Sequence, residues 1–391
     1  MKRDSASATG VDAYVVRGNR VEVLCDGRQA LPAMFSAIRA ARRWVYLEYY
    51  VFEELRWEGE ALSELLLGIR AGGVQVAIIY DAVGSQQTSS KFLETLERAG
   101  IHLLPFNPIN PAKARGGWSP NRRDHRKLLI VDGRLAIVGG INLSAHYETP
   151  SPAPRDGHGV DPRRWRDTDL LLEGPVIAQL QRLFLNHWTA QNGPVLPNVG
   201  SCPEPGLPGK ERVGVIASEP SCGRPRYYAA LLSALRAAQS RVWITAGYFL
   251  PTPEQKCALI ETAQRGVDVQ LLLAAHNDSA ATLAAQRCGY AELLSGGIRI
   301  HEREGVILHS KSVIVDASWS AVGSSNFDQR SVRFNDEVDV VVIGTRTADA
   351  LARVFLADIQ SARAIEAKMW RRRPWHQRAL ELFWNPWKGL L

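Results

Sequence analysis

The chain has 391 residues, of which 46% are hydrophobic and 22% charged, and a formal net charge of +7. That length exceeds what one hydrophobic core usually organises, so two domains are expected, and the composition excludes a disordered or fibrous chain. The positive balance favours a polyanionic partner, either nucleic acid or an anionic membrane surface, without choosing between them.

Five cysteines, Cys25, Cys202, Cys222, Cys257 and Cys288, are odd in number and include no Cys-x-x-Cys pair, which argues against a disulfide framework or a zinc site. The opening Met1-Lys2-Arg3-Asp4-Ser5-Ala6 has no apolar core after its charges, unlike a signal peptide. No uninterrupted apolar run reaches the ~18 residues of a spanning helix. The expectation is a protein of the cytosol, or one attached to the membrane from its cytosolic side.

In chain order, Leu31, Met34, Phe35 and Ile38 mark a helix with one apolar face, and Trp44 to Phe52 reads as a strand. Leu62, Leu65, Leu66 and Ile69 mark a second helix, closed by Gly72-Gly73 before a strand from Val74 to Asp81. The pattern returns with a helix carrying Tyr228, Leu231, Leu232 and Leu235, then a strand from Val242 to Leu250. A capping box at Thr252-Pro253-Glu254-Gln255 and a strand from Val267 to Ala274 follow. Helices alternating with short buried strands predict an α/β fold: two homologous domains, each a mixed, mostly parallel sheet flanked by helices, with the site between them. The offset between matching positions drifts from 235 − 38 = 197 to 266 − 73 = 193 and then 309 − 125 = 184, as expected of a duplication with loop insertions. The reading divides the chain into a first domain over 1–195, a Pro/Gly-rich linker over 196–210, a second domain over 211–368 and a basic aromatic segment over 369–391.

One constellation is written twice. His125-Arg126-Lys127, Asp132 and Gly139-Gly140-Ile141-Asn142 match His309-Ser310-Lys311, Asp316 and Gly323-Ser324-Ser325-Asn326. In each copy His and Lys are two apart at the head of an apolar run, so a strand places them on one face. Asp132 and Asp316 have the opposite parity and read as structural carboxylates bonded to loop amides. Two His and two Lys brought together form a cationic pocket with two groups able to exchange protons, which suits a phosphodiester. The lysines and the amides of Asn142 and Asn326 would hold the non-bridging oxygens, one imidazole would attack phosphorus, and the other would move protons. A carboxylate on the far nitrogen would keep the attacking ring neutral and oriented. Metal chemistry is the rival for any His cluster, but His-x-Lys is not a ligand pair and no His-Glu-x-x-His occurs, so neither metal nor cofactor is expected.

His-x-Lys-x(4)-Asp followed by Gly-x-x-Asn, twice, resembles the paired HKD motifs of the phospholipase D superfamily, whose catalytic set would comprise His125, Lys127, Asp132, His309, Lys311 and Asp316. In that family a glutamate about 28 residues after the motif histidine orients it, and Glu337 stands at 337 − 309 = 28. The first copy has Gly140 where the second has Ser324, and an insertion from about Thr149 to Arg164 moves the matching acidic position to Asp167. From Gly18 to about Leu391 the chain resembles bacterial cardiolipin synthases of the shorter type, on Leu47-Glu48-Tyr49-Tyr50-Val51-Phe52, Tyr248-Phe249-Leu250-Pro251 and the run from Gly323 to Ser331. The resemblance implies transfer of a phosphatidyl group, through a motif histidine, to phosphatidylglycerol. By family precedent His125 is the nucleophile and His309 the general acid. Phospholipid substrates, an anionic membrane surface and a monomer are implied. The donor, phosphatidylglycerol or phosphatidylethanolamine, stays open. A phospholipase D that uses water, or a phosphodiesterase acting on nucleic acid, is the alternative.

Residues 370–391 carry Trp370, Arg371, Arg372, Arg373, Trp375, Arg378, Phe383, Trp384, Trp387 and Lys388 with Glu381 the single acid. That composition fits either an anchor in the headgroup region of a membrane or a closing helix packed on its own domain.

Overall fold

A computed structural model describes residues 15–110, 118–119, 121–148, 164–196, 206–220, 226–277 and 279–374. Its centre is one sheet of 16 strands. Seven strands of the first half run across it in the order Val15–Cys25, Thr168–Glu173, Leu135–Gly139, Lys127–Val131, Trp44–Tyr49, Gln75–Asp81 and His102–Phe106. The second half repeats the order as Glu211–Ser218, Asn335–Ile343, Trp319–Gly323, Lys311–Val315, Arg241–Ala246, Asp268–Ala274 and Arg299–Arg303, with Ala362–Ala364 on its edge. The first strands of the two series pair antiparallel, Val15 opposite Gly214 and Asn19 opposite Glu211, and fuse the halves into one sheet.

Along this path parallel pairing joins only Trp44–Tyr49, Gln75–Asp81 and His102–Phe106 in the first half and Arg241–Ala246, Asp268–Ala274 and Arg299–Arg303 in the second, where helices make the crossovers. The rest is antiparallel, so the expected predominance of parallel strands holds only at the periphery. The reason is local. Asp132 and Gly133 take left-handed conformations, φ 52° and 67°, and turn Lys127–Val131 tightly into Leu135–Gly139 without a helix between. Asp tolerates that conformation better than most residues because its short side chain can bond nearby amides. Here Asp132 accepts from the N–H groups of Arg42, Arg43 and Trp44 at 2.7 to 2.9 Å. Asp316, at φ 54°, repeats the arrangement with the amides of Gln239, Ser240 and Arg241.

Helices pack on both faces. Asp26–Arg39 and Leu62–Ala71 bury Leu31, Phe35, Ile38, Leu62 and Leu66 against the outer face of the first half. Arg226–Ala237 and Pro253–Gln264 do the same for the second, the latter starting at the expected capping box between Thr252 and Gln255. The other face is a shared core that draws Tyr46, Leu128 and Phe184 from one half and Trp243, Leu272 and Phe355 from the other. Phe184 lies between Tyr46 and Trp188, ring centroids 4.7 and 5.9 Å away, and truncating such a buried ring costs about 3–5 kcal/mol.

Most of the linker assignment, residues 197–205, and the aromatic tail beyond residue 374 lie outside the described residues. The start of the tail folds back: Trp370 packs on Tyr290 at 5.0 Å, with the Arg373 guanidinium 4.4 Å from the Trp370 ring. Among the described residues no helix is long and apolar enough to cross a membrane.

Candidate active site

Two short bridges between the halves position the motif histidines. Arg123-Asp124 pairs parallel with Asn335-Asp336, and Trp165-Arg166 with Ile307-Leu308. Continuing each register by one residue sets His125 opposite Glu337 and His309 opposite Asp167. Backbone bonds hold the rows together, His125 N–H to Asp336 O at 2.9 Å and His309 N–H to Arg166 O at 2.8 Å.

The orienting carboxylates therefore cross between copies. Glu337, which the spacing paired with the histidine of its own motif, instead accepts from His125 Nδ1 at 3.0 Å, and the carbonyl of Ser324 stands at the same distance. Asp167 accepts from His309 Nδ1 at 2.7 Å. Sheet register equates the two acids: Asp169 faces Gly139 and Asp339 faces Gly323, so Asp167 and Glu337 each lie two residues earlier on matching strands. With its proton on Nδ1, each ring turns a bare Nε2 to the cavity.

The halves differ in how the carboxylate is held. The hydroxyl of Ser324 donates to Glu337, and Asn335 Nδ2 donates to the other oxygen at 3.1 Å. In the first copy a Cβ on Gly140 would lie 2.1 Å from Asp167 Oδ1, so a serine there is sterically barred. The phenol of Tyr147 supplies the hydroxyl instead, 3.1 Å from Asp167 Oδ2. Sequence reasoning missed Tyr147. Its only signal was the missing side chain at position 140.

Electrostatics favour neutral rings. Burial, reinforced by Lys127 and Lys311, pulls His125 down to about 4, and burial with Lys311 pulls His309 down to about 3. Burial opposes the charge on Asp167, yet His309 and Lys311 beside it hold the carboxyl at about 2. Glu337 is likewise lowered against its burial by His125 and Lys127. Lys127 is depressed to about 7 by burial and by Lys311.

His125, His309, Asn142 and Asn326 line one cavity of about 230 Å³ together with Tyr50, Trp165 and Tyr248. Asn326 Oδ1 is buried with no bonding partner among the described residues, while Asn142 Oδ1 accepts from Val51 N–H at 3.2 Å. Lys127 and Lys311 stand behind the histidines and donate to the carbonyls of His125 and His309. The structure does not bring Asp132 and Asp316 to the cavity. Their amide bonds hold the hairpins that carry the histidines.

Arg126, between His125 and Lys127, is fully buried and points away from the cavity. It donates to Glu48 at 3.1 Å and to Glu219 at 2.8 Å, linking the halves. Glu48, Asp124 and His187 lie close enough to share an ion. The guanidinium of Arg126 and the His187 ring, 2.8 Å away, already share Glu48 Oε1, so a cation would meet a fixed positive charge. These residues do not fit a metal.

Two crossed carboxylate–histidine pairs on a duplicated α/β sheet define a phosphodiester-transferring site of the phospholipase D type. The family described as "Cardiolipin synthase, PLD-like domain" matches residues 34–149 and 231–359, and the chain belongs to that family. It is 31% identical to a cardiolipin synthase of Halalkalibacterium halodurans over 92% of this chain and 70% of the relative. It is 33% identical to cardiolipin synthase A of Pseudomonas putida over 94% and 75%. A phosphatidylserine synthase of Haemophilus influenzae shares the fold, with a TM-score of 0.71 at 13% identity and 98% coverage of both chains.

Proposed function

We propose that the protein is a cardiolipin synthase, a phosphatidyltransferase that passes a phosphatidyl group from a phospholipid to phosphatidylglycerol through a phosphohistidine. The convergence of His125 and His309 on one cavity, each oriented by a carboxylate of the other half and kept neutral by burial and the nearby lysines, supports this reading. The relatives' names supply the substrate class.

His125 Nε2 attacks phosphorus. The N–P bond forms, the P–O bond to the leaving alcohol breaks, and His309 gives that oxygen a proton taken up from solvent on substrate binding. In the second half-reaction His309 removes the proton from the acceptor hydroxyl, the new P–O bond forms, and the N–P bond to His125 breaks. The phosphoryl charge stands among Lys127, Lys311 and the amides of Asn142 and Asn326 and raises the depressed basicity of the ring that must carry the proton. The work takes place at the cytoplasmic face of an anionic membrane, with the chain as a monomer, since one polypeptide supplies both half-sites.

The test is incubation with phosphatidylglycerol vesicles, with and without phosphatidylethanolamine, and product identification by mass spectrometry. Cardiolipin is expected, and its dependence on phosphatidylethanolamine names the donor. Phosphatidic acid alone would make the protein a hydrolase.

A further inference from the structure

The charges of the reaction centre nearly offset one another, with Glu337 and Asp167 ionised beside Lys127 and Lys311. Arg330 stands outside that balance. It lines the same cavity, beside Asp328 and Asn335, and is half-buried. Among the described residues none hydrogen-bonds or ion-pairs with its guanidinium. Asp328 feels its charge without bonding it, and Asp328 Oδ1 accepts from the Ser331 N–H at 2.7 Å. A guanidinium partly withdrawn from water with an anion nearby but none bonded to it is costly unless a ligand provides the bonds.

The duplication sharpens the point. The offset of 326 − 142 = 184 between the motif asparagines makes His146 the counterpart of Arg330. His146 is exposed and stacked on Trp165 at 5.3 Å, so the matching position is an aromatic stack beyond one motif and a cation lining the cavity beyond the other. Binding one phosphodiester on a pseudo-twofold axis does not call for that asymmetry. A substrate with a second phosphate does. At about 230 Å³ the cavity falls below the ~300–1,000 Å³ that encloses a drug-sized ligand, enough for a headgroup but not for acyl chains.

We propose that Arg330 forms a second anion subsite, which binds the phosphodiester of the acceptor lipid while the reacting phosphorus lies between His125 and His309. This rests on the reading of the protein as a transferase acting on phosphatidylglycerol. The planar fork of arginine suits two oxygens of one phosphate, and the contact favours an anionic lipid alcohol over water or a neutral alcohol.

The full chain and its Arg330→Gln and Arg330→Lys variants are given phosphatidylglycerol vesicles containing ethanol, and cardiolipin and phosphatidylethanol are measured together. Arg330→Gln is expected to lower the ratio of cardiolipin to phosphatidylethanol about tenfold, the loss of one charge-assisted contact, with Arg330→Lys in between. An equal fall in both products, or an unchanged ratio, overturns the subsite while wild-type cardiolipin synthesis leaves the main reading intact. Wild-type protein that makes phosphatidylethanol but no cardiolipin overturns both.

Discussion

Glu337 Oε2 lies 3.0 Å from His125 Nδ1 although 212 residues separate them, and this bond joins the two copies of the motif at the reacting centre. Exchanging either orienting acid for its amide keeps the shape and removes the charge that fixes the ring. Glu337→Gln and Asp167→Asn should each lower kcat by about 10²-fold or more with little change in KM. Steady-state kinetics on protein with unaltered circular dichroism checks this, and a rise in KM alone would contradict the orienting role.

Gly140→Ser should be more damaging than its mirror change Ser324→Gly. The first forces a side chain into the space of Asp167 and displaces the partner of His309. The second only removes a donor from Glu337. A kcat loss of at least about tenfold is expected for Gly140→Ser, and a smaller one for Ser324→Gly. Equal losses would mean that the crowding at position 140 relaxes freely.

Activity should depend on pH through Lys127. With its pKa lowered to about 7, its charge is present below that pH and lost as pH rises through it. The histidines, lowered to about 4 and about 3, are neutral throughout that range. Because His309 takes up its proton only on binding substrate, kcat/KM should fall with rising pH through this range, and more steeply above about 7, where Lys127 loses its charge. Lys127→Arg, in whatever activity remains, should move the steeper limb beyond the measurable range.

Stability should fall in acid. The His309 ring binds a proton near 6.5 when unfolded but only near 3 when folded, so the unfolded chain holds more protons in between. Stability is complete above about 6.5 and is lost as pH falls toward 3. Calorimetric Tm across that window should drop less steeply for His309→Asn.

Asp132→Ala should separate scaffold from chemistry. Three backbone amides lose their acceptor, at a cost of about 3 kcal/mol, while the cavity keeps all its residues. A lowered Tm with kcat within a few-fold at low temperature is expected.

The duplicated motif, the core helices and the capping box at Thr252 were legible because each depends on residues a few positions apart. The parity of Asp132 and Asp316 likewise pointed to their loop amides. The crossing of the carboxylates was not legible. It depends on two-residue bridges between segments whose sequence separations, 335 − 123 = 212 and 307 − 165 = 142, no periodicity encodes. The antiparallel inner strands were missed although Asp132-Gly133 is a hairpin turn pair; its counterpart Asp316-Ala317 lacks the glycine, so the turn signal is not repeated in the second copy. Arg126 was passed over as the variable middle of His-x-Lys, although Ser310, its counterpart, shows that the halves use that position differently.

The bridge at residues 123–124 and 335–336 and its partner at 165–166 and 307–308 also bear on how such a chain can change over time. A substitution at Asp167 is felt first by the histidine of the other copy, so the two halves inherit each other's constraints. Tyr147 with Asp167, and Ser324 with Glu337, are two solutions to one task. Within each half the acid and its hydroxyl donor have to stay matched to each other. A half expressed alone would keep its own acid–hydroxyl pair and its own histidine, but the two would no longer be matched. Mixing complementary halves, each carrying one intact histidine and the acid for the other, is the way such a site could be rebuilt from fragments.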